Sequence, residues 1–318
     1  MSSRFPKKFG GTFPLRYILV VLFLPYLLFG ALGSAGPLPA PQGAVDWVGG
    51  FIEGVGYGTA RPTGNRPGDR LKAIRAAEVL AQRALAETIH GVRIDGETSV
   101  GDDVKRYVLE SRVQGLIRGA RKVKETVDWD GNTPSATVTL RVCLVADAPE
   151  CRNSPTLVGI LPAGERHEPS YVPAVSFGEG PASGNGAGEV FSVEKEVSYD
   201  SSSPVTGLVL DLKAWGHVRE LFPVVAAFGE KGSLQTVFSA KRVLPKVIRT
   251  YGVARYADSV PQARKVERVG KNPLVVPVAE VTPENMLIVH REAARVIRET
   301  TRYGNDYLSE AKVVIAGK

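Results

Sequence analysis

Few residues in this chain could do chemistry, and the first to weigh are four acidic ones. Asp95, Glu97, Asp102 and Asp103 lie within nine positions of one another. Paired carboxylates of this kind can serve as general acid and base. They also suit a solvated loop leading into a helix, whose N-terminus favours negative charge, and that second reading asks less of the sequence. His90, His167, His217 and His290 are scattered without metal-ligand spacing, and neither a GxSxG nor an HExxH pattern is present. Gly54-Val55-Gly56-Tyr57-Gly58 resembles a phosphate-cradling loop in spelling alone. A dinucleotide loop opens directly into a helix, whereas here Arg61 and Pro62 begin a long loop, so the glycines read as a soft, flat strand. No catalytic, cofactor-binding or metal-binding residue is therefore assigned, and no cofactor is expected.

The two cysteines, Cys143 and Cys151, form an even, closely spaced pair. In an oxidising compartment such a pair points to a disulfide; two thiols at a strand end are the alternative. Without a nearby histidine they do not make a zinc site. Arg112, Arg118, Arg121, Lys122 and Lys124 form a basic stretch, and Arg264, Lys265, Arg268 and Lys271 a second. Either could contact an anionic surface such as lipid head groups or wall polymer, or be a solvated face.

The compartment follows from the first 35 residues, which contain no acidic residue. Arg4, Lys7, Lys8 and Arg16 precede an uncharged apolar run, Tyr17 to Leu32, and small residues follow. A basic start, an apolar core and Gly33 and Ala35 at the −3 and −1 positions describe a secretory signal cut before Gly36. An uncleaved inner-membrane anchor is the other reading, and both carry everything after residue 36 outward. No cysteine ends the apolar run, so there is no lipid-attachment box. The leader holds four of the forty basic residues and none of the 33 acidic ones, which reduces the net charge from +7 to +3. The high pI is thus partly a leader effect, and nucleic acid is not an expected partner.

Apolar periodicity outlines the elements that would position these residues. Phe51 to Tyr57 reads as a strand. Asp69 is a good N-cap for a helix from Arg70 to His90, with Leu71, Ile74, Ala77, Ala81, Leu85 and Thr88 on one face and Gly91 as its stop. Val92 and Ile94 open a second strand, and Asp102-Asp103 begin a helix running to Ile117. Val123, Val127 and Trp129, then Asp130-Gly131-Asn132, then alternating Ala136, Val138, Leu140 and Val142 spell a hairpin. Further on, Leu208 to Leu212, Leu221 to Phe228, Leu234 to Phe238, Leu274 to Val278, Met286 to Val289 and Val313 to Ile315 are apolar runs of strand length. Ser259 begins a short helix, and His290 to Arg302 reads as a longer one with Ala293, Ala294, Val296 and Ile297 inward. With 34 Gly and 22 Pro, loops should be long. The expected fold is α+β: two small domains, each with helices packed on a mostly antiparallel sheet, joined by a Gly/Pro/Ser-rich linker. The boundaries are 1–35 for the leader, 45–145 for the first domain, 146–204 for the linker and 205–318 for the second domain. Leu157 to Leu161 is an apolar piece of the linker able to dock on a domain.

One stretch resembles a known family. A glycine-rich strand (Gly54-Val55-Gly56) precedes an alanine-rich helix (Ala76-Ala77, Ala81, Ala84, Ala86), followed by Ile89-His90-Gly91-Val92, Val113-Gln114-Gly115-Leu116-Ile117 and the Val138–Val142 strand. Over about 95 residues this is similar to the membrane-associated lipoprotein-20 family, which includes FlgP-like flagellar outer-membrane proteins. Tyr251 to Tyr256 and Val269 to Val276 are similar to uncharacterised Gram-negative envelope proteins. The resemblance implies an envelope location, a structural or assembly role without enzymatic activity, and homo-oligomers among the assemblies. The expected protein is exported and non-enzymatic, in the periplasm or at the outer-membrane periphery or held by an inner-membrane anchor. Its expected partners are envelope proteins or an anionic envelope surface. The competing expectation is an exported enzyme acting on wall polymer or carbohydrate, using the acidic cluster.

Overall fold

Three glycines at alternate positions leave one face of a strand bare of side chains, and that is how the first helix comes to lie directly on it. The computed structural model describes residues 39–96, 99–103, 107–161, 197–229, 233–302 and 305–317. β1 (Gln42–Asp46) pairs with β2 (Phe51–Thr59), and α1 (Arg66–Gly91) follows. A Cβ on Gly56 would lie 2.1 Å from the Ala77 carbonyl oxygen, and one on Gly58 would lie 2.4 Å from that of Ala73. Ala73, Ala77, Ala81 and Ala84 answer from the helix side, all buried. The glycine motif is thus a close helix–strand contact. It opens into a loop, not a helix, and has no phosphate-binding geometry.

α1 starts four residues before Arg70. Asn65 caps it, its side chain accepting from the Gly68 amide, with Pro67 in the first turn. Asp69, the expected cap, is instead buried at 1% exposure. It accepts from the amide and hydroxyl of Thr63, both at 2.7 Å. These bonds hold its carboxyl below the usual range and pin the loop before the helix. Of the expected inward face, Leu71 is exposed.

Short α2 (Val100–Asp103) and α3 (Tyr107–Arg118) come next, then β3 (Arg121–Asp130) and β4 (Thr133–Cys143). The second strand expected at Val92 and Ile94 does not form; an isolated bridge between Arg93 and Ser99 takes its place. Both apolar side chains are buried there all the same, because a loop can bury them without a ladder. The hairpin is as read, with Gly131 at φ +57 in its turn. The sheet order is β1-β2-β4-β3, antiparallel throughout. A bulge falls between Lys122 and Lys124, which leaves Val123 exposed at the edge.

Residues 146–161, within the expected linker, pack closely. Cys143 and Cys151 are bonded, S–S 2.01 Å. Thr156 caps α4 (Leu157–Ile160) and pairs with Cys143, and Leu157 and Val158 are buried. The Gly178–Gly188 stretch of that linker lies outside the described residues, as do the leader and Glu97.

The C-terminal half contributes β5 (Gly207–Asp211), β6 (Val225–Phe228), β7 (Leu234–Phe238), α5 (Pro245–Tyr251), β8 (Arg255–Ala257), α6 (Val260–Ala263), β9 (Pro273–Pro277), β10 (Glu280–Val281), β11 (Leu287–Val289), α7 (Arg291–Thr300) and β12 (Val313–Ala316). One sheet, β8-β12-β5-β9, is entirely parallel. Its strands are near-continuous apolar runs buried on both sides, the pattern parallel sheets require. The other, β10-β11-β6-β7, is mixed. α7 buries Ala293, Ala294 and Ile297 as read. The fold is α+β. One apolar cluster runs from Ile52 and Leu85 through Leu157 to Leu210 and Ile315, so the described residues form one compact unit.

Candidate functional site

Two arginines that the sequence does not single out as a pair converge on one aspartate where the two halves meet. Asp147 follows β4 by four residues. Arg255 opens β8, an edge strand of the parallel sheet, and Arg268 sits in a 3-10 turn, Glu267–Val269, leading to β9. Arg255 donates from Nη1 to Asp147 Oδ2 at 3.0 Å and from Nη2 to the Val48 carbonyl. Arg268 Nη1 lies 3.9 Å from the same oxygen, in ion-pair range but without a hydrogen bond, and its Nη2 donates to the Tyr251 carbonyl. Side-chain exposures are 15% for Arg255, 9% for Arg268 and 13% for Asp147. Arg255 Nε and Arg268 Nη1 are buried with no hydrogen-bond partner among the described residues. Burial pulls Arg268 down to about 10, with Asp147 opposing and Arg255 adding to the drop; it stays charged at neutral pH.

These residues line a cleft of about 890 Å³, within the range of small-molecule sites. Its rim adds Arg152, Lys246 and Lys312 against Glu267 and Glu310, the last two lysine and glutamate neighbours pairing as Lys312–Glu310 at 2.6 Å. Five basic groups thus face three acidic ones. Thr250, Tyr251, Leu244 and Val247 of the α5 region supply the apolar and hydroxyl surface.

Behind the cleft, one residue along from Arg255, Tyr256 organises a buried polar nucleus. Its hydroxyl accepts from the Glu220 amide at 3.0 Å and donates to the Glu220 carbonyl at 2.9 Å. Trp47 meets its ring edge-on at 5.4 Å, and His217 stacks at 6.0 Å. Asn285, in the left-handed region at φ +67, donates to the Val218 carbonyl and to Glu220 Oε2 at 2.9 Å. Burial, with Asp95 adding to it, pushes the Glu220 carboxyl up to about 8; Asn285 and Arg93 oppose. Burial drops His217 to about 4. The void beside Glu220 and Tyr256 is about 10 Å³, too small to admit a substrate, so these two groups hold structure together; His217 lines a separate, open cleft of about 550 Å³.

The residues expected from sequence are dispersed. Asp95 is buried near Glu220; Glu97 is outside the described residues, and the side chains of Asp102 and Asp103 are not described. Among the basic stretch, Arg121 pairs with Glu150 at 2.7 Å, and Lys122 with Glu78 and Glu125 at 3.1 and 2.6 Å. Arg112 donates to the Ile160 carbonyl and Arg118 to that of Gln114. Lys124 is exposed and makes no ion pair among the described residues. The stretch is thus largely engaged within the molecule. Only Arg268, from the second stretch, reaches the cleft's buried centre. Among the described residues no group of three or more His, Cys, Asp or Glu could hold a metal ion, and no helix is long and apolar enough to cross a membrane.

Residues 207–317 match the family model described as Treponema pallidum Tp0624, second domain. The match takes in Arg255 and Arg268 but begins after Asp147, and covers about a third of the chain. No curated protein matches the chain.

Proposed function

We propose that this is an exported, non-enzymatic cell-envelope protein that works by binding other envelope components in a structural or assembly role. The observation that carries the reading is the Cys143–Cys151 bond. A disulfide belongs to an oxidising compartment, and this one closes the 143–151 loop that carries Asp147. The basic, apolar leader supplies the route to that compartment. The cleft supports binding, because its guanidinium-rich lining converges on a space of ligand size. The periplasm, or the periphery of the outer membrane, is the proposed location. Envelope proteins or an anionic envelope surface are the proposed partners, and self-association into a homo-oligomer is the proposed assembly.

Fractionation of the producing cell with crosslinking tests this reading. The protein is expected in the envelope or periplasmic fraction, oxidised at Cys143 and Cys151, and crosslinked to envelope components. Recovery in the cytosol with both thiols reduced would overturn it.

A further inference from the structure

We infer that the cleft between the β4 extension and the α5–β8 region binds an oxyanion, a carboxylate or phosphate group of a small ligand, on Arg255 and Arg268. This deepens the proposed binding role by naming the ligand's chemistry.

The argument begins with charge. Two guanidinium groups, 15% and 9% exposed, share one carboxylate, itself 13% exposed. One positive charge is left over in a poorly hydrated place. Leaving a buried charge uncompensated is strongly destabilising. A lysine could relieve that cost by losing its proton; an arginine cannot.

Hydrogen bonding gives the second line. Arg255 Nε and Arg268 Nη1 are buried donors with no acceptor among the described residues. Buried donors are nearly always satisfied, so each unsatisfied one calls for an explanation. Arg268 Nη1 faces Asp147 at 3.9 Å, too far to bond. A planar carboxylate or a phosphate presents paired oxygens that match the guanidinium fork. One such group, seated in the cleft against the parts of the two arginines that line it, would cancel the surplus charge; Arg255 Nε and Arg268 Nη1 are themselves closed off from the cleft, and they gain an acceptor only if the side chains turn toward the anion.

The surroundings agree. The cleft is open enough, at about 890 Å³, for a ligand larger than the anion itself. Lys246 and Arg152 stand on its rim to draw an anion in, and the Tyr251 ring lies 5.9 Å from the Arg268 guanidinium, which keeps that side chain in place.

The test uses the full chain after the leader, with inorganic phosphate and glutarate as separate probes, in thermal unfolding and calorimetric titration. Each probe is compared with sodium chloride at equal ionic strength. At least one oxyanion is expected to raise the unfolding midpoint saturably, as mass action requires, while chloride does not. Stabilisation by phosphate alone assigns a phosphoryl source, and by glutarate alone a carboxylate source. R268K and R255K, which keep charge but lose the fork, are expected to weaken binding by about tenfold. D147N, which removes the competing carboxylate, is expected to tighten it. The inference is overturned if neither anion exceeds chloride, if both lysine variants bind as well as the parent while remaining folded by circular dichroism, or if D147N weakens binding. Because these are measurements on purified protein, their failure would leave the export and partner reading standing, and a cytosolic location would leave the anion site standing.

Discussion

Glu220 is a carboxyl almost without water, 2% exposed, and its proton is part of the fold. It rests near 8 in the folded chain against an ordinary 4.5. Below pH 4.5 the folded and unfolded chains both hold the proton, and the group is neutral in its effect. As pH rises from 4.5 through 8, the unfolded chain ionises and the folded chain does not, so stability falls. His217 acts at the other end. Held near 4 against 6.5, it stays neutral while the unfolded chain takes up a proton, so stability falls as pH drops from 6.5 towards 4. Glu220→Gln keeps an acceptor for Asn285 and removes the ionisation. The variant is expected to unfold at a higher temperature than the parent at pH 8 and above, by the equivalent of a few kcal/mol on the order of the linkage, with the advantage gone near pH 4.5. Denaturation midpoints across that pH series decide the matter; parallel curves for parent and variant would refute the assignment. Little of this chemistry was visible in the chain. Glu220, Tyr256, Asn285, Arg255 and Arg268 are ordinary polar residues scattered over three segments. Nothing local distinguishes a buried arginine from a solvated one until the fold supplies its neighbours.

At the scale of elements, the chain is far more explicit, and the reason is periodicity. α1 and α7 show their inward faces as steps of three and four, and the β3–β4 hairpin shows its alternation and its Asp-Gly turn. The parallel strands are short runs such as Leu274-Val275-Val276, whose lack of alternation hides their partners. What fails is what depends on a single local choice. Asn65 and Asp69 are both good cap residues, and the winner is set by Thr63, whose amide and hydroxyl draw Asp69 inward. Val92 and Ile94 look like a strand because they are apolar, but the Leu221 and Phe222 amides reach the carbonyls of Arg93 and Ile94 from a loop. The glycine motif reads as a strand, and the contact with α1 supplies its cause. Gly56→Ala places a methyl 2.1 Å from the Ala77 oxygen and 2.3 Å from the Ala81 nitrogen, atoms of a helix backbone that has no free rotor to yield. Overpacking ordinarily costs about 1–3 kcal/mol, and here the upper end or more is expected. Chemical denaturation should show the loss directly. Gly115→Ala, on a helix where a Cβ meets nothing within 4 Å, is the control and should be neutral or slightly stabilising. The disulfide adds a smaller element-level effect. Its nine-residue loop, from a separation of 8, corresponds to roughly 2.5 kcal/mol in the chain-entropy model, so reduction should lower the midpoint without abolishing the fold.

For the molecule as a whole, the two α+β halves are expected to unfold as one thermodynamic body, since their described residues share one compact unit. Composition suggests two, because a glycine-rich segment lies between them, but the segment's first part, 146–161, is built into the core with Leu157 fully buried. The halves are then joined by bonds neither can replace alone. The Ala146 amide donates to the Thr250 carbonyl, and those of Leu221 and Phe222 to Arg93 and Ile94. Arg255 reaches back to Asp147 and Val48, Trp47 covers Tyr256, and Gly96 lies so close that a Cβ would stand 1.9 Å from the Glu284 oxygen. Residues 205–318 alone would expose Tyr256 and Glu220 to water and exchange the hydrogen bonds of the Leu221 and Phe222 amides for bonds to water, each exchange costing about 0.5–1.5 kcal/mol net. Against a total of about 5–15 kcal/mol for a domain, a few such losses are decisive. The full chain is therefore expected to unfold in a single calorimetric transition whose van't Hoff and calorimetric enthalpies agree. The fragment 205–318 is expected to lack a cooperative transition under the same conditions. Two resolved transitions in the full chain, with one reproduced by the fragment, would show that each half carries its own stability and that the buried polar nucleus at their junction is incidental to folding.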